Sequence, residues 1–172
     1  NVSQLSALST QLGVAGDNVT SIALTYNDKN AATGKTLTAS SAVISDGNNG
    51  LNYNISYTAN TTSVITPKDI TIAGITANNK TYDGNTSAVV NVSGVNSTSL
   101  VNIGMVAGDD LSVSATGTFN DKNAGTGKTV TLSSSYSGND LGNYNITSQT
   151  TTTADITAKS LIISGITASN KV

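Results

Sequence analysis

The sequence predicts an all-β protein made of tandem small modules, β-sandwich or β-grasp-like, in an elongated arrangement. Composition, strand-like alternation and a long internal repeat carry this prediction. The 172 residues include 23 Ser, 27 Thr, 21 Asn and 16 Gly, about half of the chain. Thr, Val and Ile suit pleated strands, whereas Ser, Asn and Gly are poor helix formers. With 37% hydrophobic residues and one Pro, the chain is expected to fold.

Alternation with a period of two is clearest over residues 111–119, where Leu, Val, Ala, Gly and Phe alternate with Ser and Thr. A turn is predicted at Tyr82–Asn85, because Gly84 can adopt positive φ. Residues 97–106 are read as either one short helix or a loop, and residues 121–128 as a polar loop. Further strands are predicted at residues 69–76, 88–92, 129–133, 143–147 and 152–156.

A repeat with a period of about 91 residues is the strongest signal in the sequence. This period exceeds the roughly 20–50 residues of solenoid repeats and equals the size of one small β domain. Five segments recur in order: Val14–Asp17 as Val106–Asp109, Tyr26–Ala31 as Phe119–Ala124, Thr33–Thr36 as Thr126–Thr129, Asn52–Ile55 as Asn143–Ile146, and Gly74–Lys80 as Gly165–Lys171.

The phase of the repeat predicts the domain organisation. Residues 1–65 correspond to the C-terminal part of one unit, residues 66–157 to a complete unit, and residues 158–172 to the N-terminal strand of the next. Pro67 suits the junction because it cannot donate to a central strand ladder. We therefore expect the sequence to be an excerpt from a longer tandem array.

Missing residue types limit the chemistry. The chain has no His, Cys, Arg, Glu or Trp, so a Ser-His-Asp site, a conventional zinc site and a disulfide are all excluded. An enzyme is not expected, and a glycosidase based on paired Asp residues is the poorest fit. A net charge of −2 without Arg argues against nucleic acid. No segment has the roughly 20 apolar residues of a membrane span, so direct membrane insertion is not expected.

Five segments of the complete unit form a characteristic series: Lys80–Thr86, Val106–Asp109, Gly117–Phe119, Asp121–Lys128 and Gly142–Tyr144. In this order they resemble the YDG-type repeat domain of large, filamentous-haemagglutinin-like bacterial surface adhesins. The resemblance implies an extracellular location at the bacterial cell surface, in a stalk of repeated domains. The first copy differs at two positions, with Ala32 in place of Gly125 and Tyr26 in place of Phe119. The residues assigned to the structural motif are Tyr82, Asp83, Gly84, Phe119, Gly125, Gly127 and Tyr144.

Two groups of acidic and amide residues are weak candidates for calcium ligands. Asp121 and Asn123 begin a D-x-N-x-G pattern, but Leu132 occupies the twelfth position, where an EF-hand loop requires a bidentate acid. Asp109 and Asp110 could meet residues 139–140 from another loop. Turn formation by Asx side chains explains both groups without a metal, so no cofactor is expected.

Two modifications are also considered. Asn-x-Ser/Thr sequons make Asn54, Asn60, Asn85, Asn91, Asn96 and Asn145 candidate glycosylation sites. An isopeptide crosslink from a Lys to an Asn would need a nearby acid, and Lys80 with Asp83 is the best available pair. A solvent-facing Lys80 is the preferred interpretation.

We expect the protein to be a structural stalk repeat of a secreted adhesin or extracellular fibre, supporting cell adhesion or biofilm. Its main partners would be neighbouring repeat units. One alternative is a module that binds a cell-surface glycan or a host receptor protein. A further alternative is a self-assembling fibre subunit, in which residues 160–167 complete the partial unit of a neighbouring molecule by strand addition.

Overall fold

The structure is a computed structural model that describes residues 2–171, with side chains from residue 4 onward. It is mostly β, with 43% strand and 11% helix, which confirms the predicted fold class in its coarse form. The chain divides into two compact units, Asn1–Pro67 and Lys68–Val172, here called unit 1 and unit 2.

Unit 1 is a helix followed by a three-stranded antiparallel sheet in the order β1-β2-β3. Its elements are α1 (Val2–Leu12), β1 (Asn18–Tyr26), β2 (Ala32–Ser45) and β3 (Asn60–Ile65). Of its described hydrophobic side chains, only Val19 and Ile44 are buried. Unit 1 therefore has a sheet without a developed core.

Helix α1 was not predicted by the sequence analysis. Leu5, Leu8 and Leu12 follow each other at spacings of three and four, which places them along one helical face. Gly13 follows the helix with φ +69°, the left-handed conformation that commonly ends helices. The amphipathic spacing prevails over the low helix propensity of the intervening Ser and Thr residues.

Unit 2 contains a five-stranded sheet in the order β6-β12-β10-β9-β7. Two smaller pairs accompany it, a parallel pair β11-β4 and an antiparallel pair β5-β8. Its elements are β4 (Lys68–Thr71), β5 (Thr76–Ala77), β6 (Lys80–Thr81), β7 (Ser87–Ala88), β8 (Val90–Asn91), α2 (Ser97–Asn102), β9 (Ser112–Phe119), β10 (Gly125–Ser137), a 3₁₀ helix (Leu141–Asn143), β11 (Tyr144–Thr147) and β12 (Thr151–Thr157).

Most predicted strands of unit 2 are present, with changed bounds. The alternation over β9 is confirmed, since every second residue from Val113 to Phe119 is at least partly buried. The strand predicted at residues 69–76 is divided in the structure: β4 ends at Thr71, β5 begins at Thr76, and Gly74 between them adopts φ +97°. The segment read as helix or loop contains α2, which Asn96 caps by accepting a hydrogen bond from Ser99 N.

The core of unit 2 joins the small pairs to the main sheet. Ile72, Ile75 and Leu100 are each 1% exposed, and Phe119 from β9 is 2% exposed. Two strands approach closely at Gly117, where an added Cβ would lie 2.6 Å from Val90 Cγ1. Unlike unit 1, unit 2 therefore has a continuous hydrophobic core.

Residues 158–171, which include the strand predicted for a following unit, form no strand in the structure. The physical reason is that a strand needs a paired neighbour, and no described segment pairs with this one. Its apolar side chains are consequently exposed: Leu161 by 83%, Ile162 by 87%, Ile163 by 75% and Ile166 by 84%.

Candidate functional site

The Tyr82-Asp83-Gly84 turn wraps around the ammonium group of Lys80. Lys80 Nζ donates to Asp83 Oδ1 and to both the backbone O and the Oδ1 of Asn85, each at 2.9 Å, and to Ser87 O at 3.0 Å. Asp83 Oδ1 also accepts from Asn85 N, and Gly84 turns the chain with φ +84°. The predicted turn is present, and the ammonium group of Lys80 lies at its centre.

Lys80 is not solvent-facing, contrary to the interpretation preferred from the sequence. Its side chain is only 17% exposed, and Nζ lies 5.5 Å from the centroid of the Phe119 ring. The hydrogen bond from Lys80 lowers the pKa of the Asp83 carboxyl. Lys80 Nζ forms an ion pair with Asp83 Oδ1 at 2.9 Å, and three further oxygen atoms lie within 3.0 Å of it. The geometry therefore favours an ion pair over an isopeptide bond.

The loop before β10 is organised by a second lysine. Asp121 Oδ1 accepts from Lys128 Nζ at 2.6 Å and from Asn123 N at 2.8 Å. The first copy repeats both contacts, with Asp28 bound by Lys35 and by Asn30 N. An ammonium group thus lies against the carboxylate that was the candidate calcium ligand. Within residues 2–171, no group of three or more acidic side chains is arranged to hold a metal ion.

Gly125 and Gly127 have different roles in this loop. Gly127 adopts φ +58° and its counterpart Gly34 adopts φ +68°, so both need the freedom of glycine. Gly125 has no positive φ, and an added Cβ would meet only the stem of Lys128, at 3.6 Å. This explains why Ala32 replaces it in the first copy.

Asp121→Asn is expected to destabilise unit 2 more than Lys128→Met. The Lys128 side chain is 11% exposed, so losing Asp121 leaves a nearly buried charge without its partner, whereas water solvates the Asp121 carboxylate, 42% exposed, once Lys128 is lost. Urea unfolding at pH 7 measures both variants. A larger loss for Lys128→Met would contradict this account.

The same ion pair predicts an acid dependence. The Lys128 hydrogen bond lowers the pKa of Asp121 below its unfolded value. Its stabilising contribution is therefore complete above the unfolded pKa and is lost as pH falls through the lower, folded pKa. The difference in urea midpoint between the wild-type chain and Asp121→Asn should accordingly shrink below about pH 4.

A tyrosine–aspartate hydrogen bond recurs in both units. Tyr144 OH donates to Asp109 Oδ2 at 2.6 Å and accepts from Val106 N at 2.9 Å. In unit 1, Tyr53 OH donates to Asp17 Oδ2, also at 2.6 Å. Asp109, a candidate metal ligand in the sequence analysis, thus anchors the start of β11 to the loop after α2.

Tyr53 is expected to ionise at a pH far above the pKa of an ordinary tyrosine. Its hydrogen bond to Asp17 raises the pKa of Tyr53 to about 12, because ionisation would place two anions together. The unfolded pKa is about 10, so this contribution to stability is complete below about pH 10 and lost as pH rises towards 12. Tyrosine ¹³C chemical shifts followed from pH 8 to 13 measure it. Asp17→Asn should lower the pKa of Tyr53, Asp69→Asn should not, and a Tyr53 midpoint near 10 would contradict the assignment.

The second pair of candidate loops does meet, as the sequence analysis considered. Asp110 N donates to Asp140 Oδ2 at 2.9 Å, while Asn139 donates to Asp110 Oδ2 from its backbone N at 3.0 Å and from Nδ2 at 3.1 Å. Gly138 allows the approach, since an added Cβ would lie 2.2 Å from Asp110 O. These contacts join the two loops through their own polar groups.

The sequon asparagines are exposed, and several of them form Asx turns. The side-chain Oδ1 accepts from the backbone N two residues later at Asn60, Asn85 and Asn91. Asn54, Asn96 and Asn145 are also exposed, so all six candidate sites are accessible. The Ser or Thr of a sequon lies two residues after the Asn, and so does the backbone N that closes an Asx turn. These asparagines therefore stabilise turns with or without a glycan.

Two cavities lie in unit 1, and both are largely apolar. One, of about 500 Å³, lies between α1 and the sheet and is lined by Leu5, Leu8 and Leu24 among others. The other, of about 410 Å³, is bordered by the segment Tyr53–Tyr57. No Lys or Asp lines either cavity.

Sequence reasoning did not identify the pairing of Tyr144 with Asp109 or the roles of Lys80 and Lys128. The signal for the first was available, because Val-Ala-Gly-Asp and Asn-Tyr-Asn-Ile repeat together. Lys128 was included only as the end of the repeated polar loop Asp121–Lys128, and no partner was predicted for it.

Comparison with known protein families identifies a family for this chain. The family model described as the YDG domain matches residues 66–154, just over half of the chain. No curated protein and no solved structure shows significant similarity. Among the described residues, no helix is long and apolar enough to cross a membrane.

Proposed function

The chain belongs to the YDG domain family, and we propose that it is a structural stalk repeat of a bacterial surface adhesin or extracellular fibre. In this proposal residues 66–157 are one complete unit, residues 1–65 the end of the preceding unit, and residues 158–172 the start of the next. Neighbouring units of the same chain or fibre are its main partners. It would support cell adhesion or biofilm through length and stiffness.

The observation that supports this role is the internal use of the repeated polar residues. Asp28–Lys35 and Asp121–Lys128 hold the same loop in the two units. Tyr53 and Tyr144 likewise hold equivalent segments through Asp17 and Asp109. A structural repeat requires polar residues that recur in the same order and that stabilise the fold of each unit.

A glycan- or receptor-binding module would need a different arrangement. Small-ligand sites combine a concave surface with several convergent polar groups available to the ligand. The cavity beside Tyr53–Tyr57 does contain tyrosines, but Tyr53 OH binds Asp17, and Tyr57 OH accepts from Ala42 N. Among the residues that the structure describes, no contact favours this alternative over the stalk.

Surface labelling of the source organism tests the proposal. An antibody raised against the 172-residue chain should label intact cells and recognise a polypeptide much larger than 17.3 kDa. A cytosolic protein labelled in parallel serves as the control for cell integrity. Labelling only after permeabilisation would overturn the proposal. Saturable binding of the chain to one class on a glycan array would instead favour the binding module.

A further inference from the structure

Two segments of unit 2 run side by side in the same direction, one at its beginning and one at its end. Strand β4 pairs in parallel with β11, and β6 pairs in parallel with β12. In both pairs, the residues that lie opposite each other are 76 positions apart along the chain, as in Lys68 and Tyr144. Residues 68–81, here called the leading segment, and residues 144–157, the trailing segment, therefore keep one register along their whole length.

Side chains join the two segments where their backbones do not pair. Gln149 of the trailing segment accepts from Ile75 N at 3.0 Å and donates to Ile75 O at 2.8 Å. Asn79 of the leading segment accepts from Asp155 N at 2.7 Å. Each of these amides takes the place of a backbone partner. Hydrogen bonds consequently connect the two segments at both ends and in the middle.

Both segments are also anchored in unit 2. Ile75 of the leading segment is 1% exposed and Ile156 of the trailing segment is 2% exposed. The trailing segment includes β12, which pairs on its other side with β10 of the main sheet. At the end of the pair, Tyr82 N donates to Thr157 O at 2.8 Å. Sliding one segment along the other would therefore break core contacts as well as hydrogen bonds.

The path of the chain determines how tension acts on this pair. The chain enters unit 2 at the start of the leading segment and continues beyond it from the end of the trailing segment. Because the two segments are parallel, these points lie at opposite ends of the pair. Tension along the chain pulls the segments lengthwise in opposite directions, so it loads all of their hydrogen bonds together. Peeling from one end would instead break the bonds one after another.

We propose that unit 2 is a tension-bearing module, in which the leading and trailing segments, bridged by Gln149 and Asn79, form the contact that resists extension of the chain. The use of this resistance rests on the proposed function, because a stalk transmits tension from unit to unit. The resistance itself follows from the topology of unit 2 alone.

Pulling single molecules of the 172-residue chain in two directions tests the proposal. The chain has no native Cys, so handles attach only at introduced cysteines. Thr66→Cys with Ala158→Cys loads the pair in shear, whereas Thr66→Cys with Gly142→Cys peels it from one end. All three positions are exposed, and an added Cβ at Gly142 would meet nothing within 4 Å.

At one loading rate, unit 2 should rupture at a several-fold higher force in shear than in peeling. Rupture in shear should lengthen the chain by roughly 300 Å, at about 3.3–3.6 Å per released residue. Equal forces in the two directions, or a higher force in peeling, would overturn the proposal. A compact tandem array in small-angle scattering would contradict the stalk but would leave this difference in force unchanged, so the two failures are distinguishable.

Gln149→Ala provides a second test, because it removes the partner of Ile75 N and O across the pair. Val113→Ala is its control, since Val113 is a partly buried residue of β9 outside the pair. Urea unfolding confirms that both variants fold and measures their loss of stability. The shear force should fall in Gln149→Ala and stay near the wild-type value in Val113→Ala. An unchanged force in Gln149→Ala, or an equal fall in both variants, would overturn the proposal.

Discussion

Gly138→Ala is expected to destabilise unit 2 by roughly 2–6 kcal/mol, from backbone strain of about 1–3 kcal/mol and overpacking of about 1–3 kcal/mol. Gly138 has φ +130°, and the new Cβ would lie 2.2 Å from Asp110 O and 2.9 Å from Leu111 Cα. Both neighbours are backbone atoms, which cannot rotate away as a side chain would. The loops joined by Asp110 and Asp140 must therefore separate.

Gly47→Ala is the matched control for this substitution. Gly47 occupies the equivalent position in unit 1 and also has positive φ, but an added Cβ would meet nothing within 4 Å. Its cost should be limited to about 1–2 kcal/mol of left-handed backbone strain. Hydrogen exchange of peptides from β9 and β10 reports the loss in unit 2. Equal effects of the two substitutions on their own units would contradict the close approach at Gly138.

Phe119→Ala is expected to cost unit 2 about 3–5 kcal/mol, the usual range for truncating a fully buried aromatic residue. Phe119 is 2% exposed, packs in the core, and presents its ring to Lys80 at 5.5 Å. Truncation removes the packing of the ring and its contact with the Lys80 ammonium group, which organises the Tyr82–Asn85 turn. Urea unfolding measures the change.

Tyr26→Ala is the matched control, because Tyr26 occupies the position of Phe119 in unit 1, where no developed core surrounds it. Tyr26 is 41% exposed, so its truncation should change stability by about 0.5 kcal/mol, as for surface positions. Phe119→Leu, which keeps part of the buried apolar volume, should cost unit 2 less than Phe119→Ala. A cost at Tyr26 comparable with that at Phe119 would contradict the burial difference between the units.

The strands and turns that depend on local signals were predictable from the sequence. The alternation over residues 111–119 specifies the buried face of β9, and Gly84 specifies the turn after β6. Helix α1 was missed because three leucines at helical spacing, in a Ser- and Thr-rich segment, outweigh composition. The strand at residues 160–167 was predicted from likeness to β4, but pairing depends on a partner that local sequence does not supply.

The candidate site was only partly predictable. Sequence analysis selected Asp109 and Asp121 as weak candidate calcium ligands in repeated segments and preferred Asx turns as the explanation for both. Their partners, Tyr144 and Lys128, lie 35 and 7 residues away along the chain, and only the folded chain brings them within 2.6 Å. Repetition identified which residues matter, whereas their chemistry required the three-dimensional arrangement.

Small-angle X-ray scattering of five complete units, each consisting of residues 66–157, joined in tandem tests the stalk most directly. Compact packing of about 460 residues would give a radius of gyration of about 23 Å. The stalk predicts at least about twice that value, with the maximum dimension rising by a constant increment from three to four to five units. A radius near about 23 Å would contradict the structural stalk.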